Sequence, residues 1–211
     1  MADGPPPPWQ RIVPSGEAPD SHPALWLVEL EKPRAAGRHA QAHALLRHIL
    51  ACQLECHPNA LVMWRDARGK PRLRGPRHHL AFNLSHVGRW GLVATLSCGE
   101  VGVDIEDPVE RARLRWRAIA RRNFDRETSE RLEDLDDKEG LLRFLAAWTR
   151  REAILKAHGI GLRVPLSDIV LPDRDSGEYD FAGRRWRWLT VYPLDRLVAT
   201  VSYSLGFAPC G

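Results

Sequence analysis

No stretch of this 211-residue chain is apolar for long enough to span a membrane, and its first residues lack the charged-then-apolar layout of a secretory signal. A cytoplasmic protein with no membrane partner is the expectation. Cysteine is scarce. Cys52, Cys56, Cys98 and Cys210 make no convincing disulfide framework in a chain this long, and Cys52-x3-Cys56-His57 has no second ligand pair at zinc-finger spacing. Buried or merely tolerated thiols are therefore expected. A dominant charge is missing too: 31 basic against 27 acidic side chains leave +4, which favours acidic partners but identifies none. There is no G-x-S-x-G elbow, which argues against a serine hydrolase.

Hydrophobic content of 44% with 27% charged residues is ordinary for a globular chain, one long enough to bury a sizeable core. Residues 1–23 hold Pro5 to Pro8, Pro14, Pro19 and Pro23 without apolar periodicity, which predicts polyproline-like extension or disorder. A first α+β half is expected over 24–106. It opens with the strand-like run Leu25 to Leu30. A helix follows over Arg38–Leu54, its stripe formed by Ala42, Leu45, Leu46, Ile49 and Leu50. Leu61–Trp64 and Trp90–Leu96 read as strands, with Val101–Glu106 as the hairpin partner of the latter. The second half, 107–211, is expected to begin with helices over Val109–Asn123, from an Asp125 N-cap to Leu135, and over Gly140–His158, ended by Gly159. Strands over Asp168–Leu171, Arg185–Tyr192 and Leu197–Ser204 complete it.

Two spacings carry chemistry. In Gly102-Val103-Asp104-Ile105-Glu106 the two acids stand two apart on a strand, so they share a face. In Trp148-x-x-Arg151-Glu152-Ala153-x-x-Lys156 the glutamate and lysine stand four apart on a helix, one turn from each other on the same side. Three carboxylates and one ammonium in a small volume suit a divalent metal holding a phosphorylated ligand. The plain alternatives are a solvated strand face and an exposed i,i+4 ion pair. Trp148 and Leu155 flank the pair, which sets it at the edge of an apolar face rather than opposite one.

These two motifs, with Phe82-Asn83-Leu84-Ser85-His86-Val87-Gly88 and Gly69-Lys70-Pro71 before them, resemble the signature of the Sfp-type 4′-phosphopantetheinyl transferases in order and spacing, from about Leu25 to Ser204. The resemblance implies an α+β fold of two similar α/β halves related by a pseudo-twofold axis, with the active site between them. It also implies a monomer that moves the phosphopantetheine arm of coenzyme A onto a serine of an apo acyl or peptidyl carrier protein, releasing 3′,5′-ADP. By it, Asp104, Glu106 and Glu152 hold Mg²⁺, and Asp104 also faces the cofactor. Glu152 is the base, directly or through a metal-bound water, and Lys156 holds the pyrophosphate. Ser85 and His86 match positions for the 3′-phosphate, Lys70 matches one at the nucleotide end, and Arg38 is a looser match to the same task. Arg151 departs from the pattern, which usually has lysine before this glutamate; arginine keeps the charge but cannot shuttle a proton.

The other histidines show no defensible ligand spacing: His39 and His43 are an i,i+4 pair without a third partner. Arg111 to Arg122 carries six arginines around Trp116, a run that reads as a solvated face or a carrier-seating surface before it reads as a nucleic-acid contact. Two rivals to the transferase remain. A metal-dependent phosphodiesterase would cleave coenzyme A without an acceptor, and a binding module would need no metal.

Overall fold

The computed structural model describes residues 9–12, 22–31, 34–75 and 79–205, without the side chain of Leu162. Four residues of the proline-rich start, Trp9–Ile12, form a strand, β1, against the edge of β2 (Ala24–Glu29), pairing Trp9 with Val28 and Ile12 with Leu25. Disorder is thus the wrong expectation for these four. They have no alternating pattern of their own, and it is the free edge of β2 that orders them. Most of 1–23 lies outside the described residues.

Helix α1 (Ala35–Gln53) buries all five residues of the predicted stripe. The short strands β3 (Met63–Arg65) and β4 (Pro71–Leu73) form a hairpin beside it. Strands β5 (Ala81–Val87) and β6 (Trp90–Leu96) complete a four-stranded antiparallel sheet, in the order β1-β2-β6-β5. Period-two alternation gives this sheet two apolar faces. Trp26, Val28, Phe82 and Val93 meet α1, while Leu25, Leu27, Leu92 and Ala94 turn toward the second half.

Strand β7 (Val101–Glu106) pairs not with β6 but with β10 (Val198–Ser204), Asp104 opposite Thr200. It therefore opens the second sheet, whose order is β7-β10-β9-β8 with β8 (Ser176–Phe181) and β9 (Arg184–Val191). The change of sheet falls in the turn at 97–100, not after Glu106. Because β7 is buried along its whole length, its apolar pattern suits either neighbour, and the pattern alone could not choose.

Three helices cover the second half: α2 (Trp116–Asn123), α3 (Arg126–Glu133) and α4 (Asp137–His158). The helix expected from Val109 starts only at Trp116, because the Asp107 carboxylate accepts the Val109 N–H at 2.9 Å and holds a turn there. Asp125 caps α3, accepting from Thr128 N–H as expected. Asp136 caps α4 three residues earlier than anticipated, and Gly159 ends it at φ 79°. Asp168–Leu171 is not a strand. A 3₁₀ turn over Leu166–Asp168 drops Ile169 and Leu171 into the core, a fate that a three-residue apolar run shares with strands.

The result is an α+β fold in which each half sets one long helix against a four-stranded antiparallel sheet. Val101, Val103, Ile105, Ala199 and Val201 pack against the inner face of the first sheet, making one core between the halves. No helix among the described residues is long and apolar enough to cross a membrane. Cys52 and Cys56 are free thiols but Cys98 is disulfide-bonded, so the expectation of four unpaired thiols fails there.

Candidate active site

The site begins with a glycine. With Val101, Val103 and Ile105 turned to the shared core, Gly102, Asp104 and Glu106 lie on the β7 face that meets α4. A Cβ at Gly102 would stand 2.2 Å from Ala157 N and 2.3 Å from Ala153 O, so strand and helix touch backbone to backbone. That approach brings the Lys156 ammonium 2.6 Å from Asp104 Oδ1 and 3.1 Å from Ser85 Oγ. Ser85 itself donates to Asp104 Oδ1 at 2.9 Å. The edges of the two sheets are joined one step away, where Val103 N–H donates to Asn83 Oδ1 at 2.9 Å. Each half thus contributes to one cluster: Ser85 from β5, Asp104 from β7, Lys156 from α4.

The carboxylates are held against their chemistry. Burial raises the pKa of Glu152, with the nearby charges of Asp104 and Glu106 adding to it and Lys156 opposing. Burial also raises Glu106, with Asp104 adding, although Arg111 grips it through Nε at 2.7 Å and Nη2 at 3.1 Å. Asp104 Oδ2 is buried with no hydrogen-bond partner. Among the described residues no three His, Cys, Asp or Glu side chains converge at metal-ligating distance, and both Glu106 oxygens accept from Arg111. The donor set nevertheless fits a hard cation. Mg²⁺ commonly takes only one or two protein carboxylates plus phosphate and water, and Asp104 Oδ2 with Glu152 offers such a pair.

A cleft of about 530 Å³ opens beside this cluster, between α1, β5, the β3–β4 hairpin and Lys156. Ser85 and His86 line it. Arg38, on the first turn of α1, lies near enough for its charge to depress the His86 pKa, after burial, His39 and Lys156. Lys70 does not join them. Its side chain is buried and its ammonium donates to Glu100 Oε2 at 2.8 Å, to Val101 O at 3.1 Å and to Ala157 O. Burial pushes its pKa down to about 8 while Glu100 pulls it up. The turn before β4 sends this side chain inward, so it pins the start of β7 to the end of α4 rather than lining the cleft.

Arg151 also points away from the cleft. Only 1% exposed, it donates to Asp125 Oδ2 at 3.0 Å and Ala147 O at 3.0 Å, and its guanidinium lies 4.4 Å above the Phe124 ring. Burial lowers its pKa to about 10 against the pull of Asp125. One step along the helix, or about 100°, separates it from Glu152, which is enough to put the two on different faces. Sequence reasoning missed Arg111 as the partner of Glu106, and it missed His39 and His43 as lining residues of the cleft. Their i,i+4 spacing was the available signal.

The profile of the 4'-phosphopantetheinyl transferase superfamily matches residues 100–202 of the chain. The chain is 31% identical over 152 residues to the slr0495 protein of Synechocystis sp., covering 72% of this chain and 61% of that one. It is 30% identical over 181 residues to the 4'-phosphopantetheinyl transferase HetI of Nostoc sp., covering 84% of this chain and 75% of HetI. It is 27% identical over 137 residues to the 4'-phosphopantetheinyl transferase Sfp of Bacillus subtilis, covering 64% and 57%. The matched region contains β7, α4 and the contact between them, and the chain belongs to the 4'-phosphopantetheinyl transferase superfamily.

Proposed function

We propose that this protein transfers the 4′-phosphopantetheine arm of coenzyme A to a serine of an apo acyl or peptidyl carrier protein. The observation that carries the reading is Lys156, whose ammonium bridges Ser85 and Asp104 at the lip of a cleft of about 530 Å³. A polyanion entering that cleft meets Lys156, His86 and Arg65 from three different elements, with the charge of Arg38 close to His86.

Glu152 is our base. Its carboxylate removes the proton of the carrier serine as that oxygen attacks the phosphorus bonded to pantetheine, and the proton then leaves to solvent. The phosphoanhydride bond breaks and 3′,5′-ADP departs. Lys156 stabilises charge on the leaving group, which is where such stabilisation accelerates a phosphoryl transfer. Ser85 and His86 orient the nucleotide end, with Arg38 beside them. Asp104, Glu106 and Glu152 would hold Mg²⁺, which would supply charge neutralisation of the pyrophosphate. One chain provides both walls of the cleft, so a monomer suffices. The net charge of +4 suits an acidic carrier.

Intact-protein mass spectrometry of an apo carrier incubated with this protein, coenzyme A and Mg²⁺ tests the reading. A gain of one phosphopantetheine arm is expected, lost in Glu152→Ala and with EDTA. Cleavage of coenzyme A without any gain on carriers of several classes would favour a hydrolase instead. Binding without cleavage or gain would leave only a binding module.

A further inference from the structure

A single residue holds the guanidinium of Arg111. Its Nε donates to Glu106 Oε2 at 2.7 Å and its Nη2 to Glu106 Oε1 at 3.1 Å, so the fork takes both carboxylate oxygens. The buried arginines are fixed differently: Arg150 reaches Thr190, Asp173 and Asp175, and Arg151 reaches Asp125 and two carbonyls. The Arg111 side chain is 42% exposed, that of Glu106 only 10%. Arg111 thus comes to the acid from the solvent side, out of the turn between β7 and α2, where its own N–H donates to Asp107 O at 3.0 Å. One partner decides where this guanidinium lies. We propose that Arg111 is a resident counter-ion for the end of β7, which occupies Glu106 in the metal-free protein and yields it when a divalent cation enters.

Charge gives the reason. Asp104, Glu106 and Glu152 lie close enough to feel one another, and Lys156 and Arg111 are the cations bonded to them, at Asp104 and at Glu106. Three carboxylates against two cations leave one negative charge. A divalent cation joining both would leave one positive charge, whereas departure of a resident cation returns the cluster to neutrality. Lys156 is tied to Asp104 and to Ser85, and Arg111 to Glu106 alone, so Arg111 is the one with fewer ties to break. A guanidinium and a metal ion on one carboxylate also repel each other at short range, strongly in a site shielded from water. The exposed half of the arginine needs little rehydration when it leaves, since a guanidinium is weakly hydrated. Until then the same fork offsets the repulsion of Glu106 by Asp104. Arg111 is a positioning residue: it acts through Glu106.

The inference rests on the metal-dependent coenzyme A reading and deepens it by naming the residue that sets the affinity of its metal centre. The probe is Mn²⁺ added to the full chain, since it takes the same carboxylate and water ligands as Mg²⁺ and its unbound ions are counted by electron paramagnetic resonance. Arg111→Met keeps an unbranched stem and removes the fork. It should bind Mn²⁺ about three- to tenfold more tightly than the parent, the range of a bidentate but part-exposed ion pair, while its denaturation midpoint in EDTA falls. A purely structural pin would give the fall in midpoint without the gain in affinity. Arg111→Lys, which keeps the charge but not the fork, should lie between parent and Arg111→Met. On the parent itself, a dicarbonyl reagent followed by peptide mass mapping should modify Arg111 faster in Mg²⁺ than in EDTA. Arg113, exposed two residues on, should react at one rate in both. Unchanged or weaker Mn²⁺ binding in Arg111→Met, or a rate of Arg111 modification indifferent to Mg²⁺, would overturn the displacement alone. Mn²⁺ binding by neither the parent nor the variants would overturn it together with the metal dependence beneath it.

Discussion

Replacing Gly102 with alanine perturbs the site without touching any polar group in it. The new Cβ would lie 2.2 Å from Ala157 N, 2.3 Å from Ala153 O and 2.8 Å from Ala157 Cα. All three are backbone atoms of α4, so no side chain can rotate aside. Ordinary carbon contacts begin near 3.5 Å, and β7 and α4 must therefore separate by about 1 Å. Overpacking of this kind costs roughly 1–3 kcal/mol. The same displacement stretches the 2.6 Å contact between Lys156 and Asp104, which spans the strand–helix seam. A misplacement of about 1 Å at a reacting centre costs on the order of 10²-fold in rate. Urea denaturation reads the first effect, and the initial rate of carrier mass gain reads the second. If Gly102→Ala kept both the parental midpoint and the parental rate, then the close approach of strand and helix would not be what sets the site's geometry.

Lys70→Met should lose roughly 1–3 kcal/mol, because Val101 O and Ala157 O lose a buried donor, while the coenzyme A Kd stays within about twofold; a tenfold loss of affinity in calorimetry would return Lys70 to the nucleotide. Arg151→Ala strands Asp125 and should cost about 3–5 kcal/mol in urea denaturation, whereas Arg151→Lys should lose less stability and gain no activity. A loss of kcat with unchanged stability would contradict that placement. Glu152→Gln should abolish transfer yet stabilise the metal-free protein at neutral pH, read as a raised denaturation midpoint in EDTA. The sign follows from its raised pKa: from the ordinary value of 4.5 up to the raised one the folded state binds more protons than the unfolded, so stability falls as pH rises. The penalty then persists above that window, and glutamine lacks it. Added Mg²⁺ should raise the midpoint of the parent and not of this variant.

The parts of the site that follow from local geometry were legible in the sequence. Period two placed Asp104 and Glu106 on one face, and an i,i+4 step placed Glu152 and Lys156 together. The α1 stripe was read residue for residue. What escaped depends on long-range partners. The pairing of β7 with β10 is set nearly a hundred residues downstream, and the turn preceding β4 decides that Lys70 points inward. His39 and His43 advertised their spacing, but their third ring arrives from β5, 47 residues after His39. Arg151 was legible as a departure from the signature and illegible as a pin between α4 and the cap of α3, since Asp125 shares no local pattern with it.

The contrast between Arg151 and its neighbour Glu152 shows how the fold divides its charges. Arg150 and Arg151 are almost fully buried and yet have partners: Arg150 meets Asp173, Asp175 and Thr190, and Arg151 meets Asp125 and two carbonyls. The acids one step away are treated differently. Asp104 keeps an unpartnered buried oxygen, and Glu106 and Glu152 are held above their ordinary pKa by burial, with the charge of Asp104 adding to both. The histidines across the cleft pack against one another, with arginine and lysine charges nearby. A fold able to neutralise two buried arginines this thoroughly still leaves Asp104 Oδ2 without a partner, although it carries 31 basic and 27 acidic side chains to choose from. Natural proteins concentrate such unrelieved groups where a ligand will relieve them. Here the excess negative charge lies on β7 and α4 and the excess positive charge on α1, β3 and β5. Such a division would suit one ligand that presents a cation to the first wall and a phosphate monoester to the second.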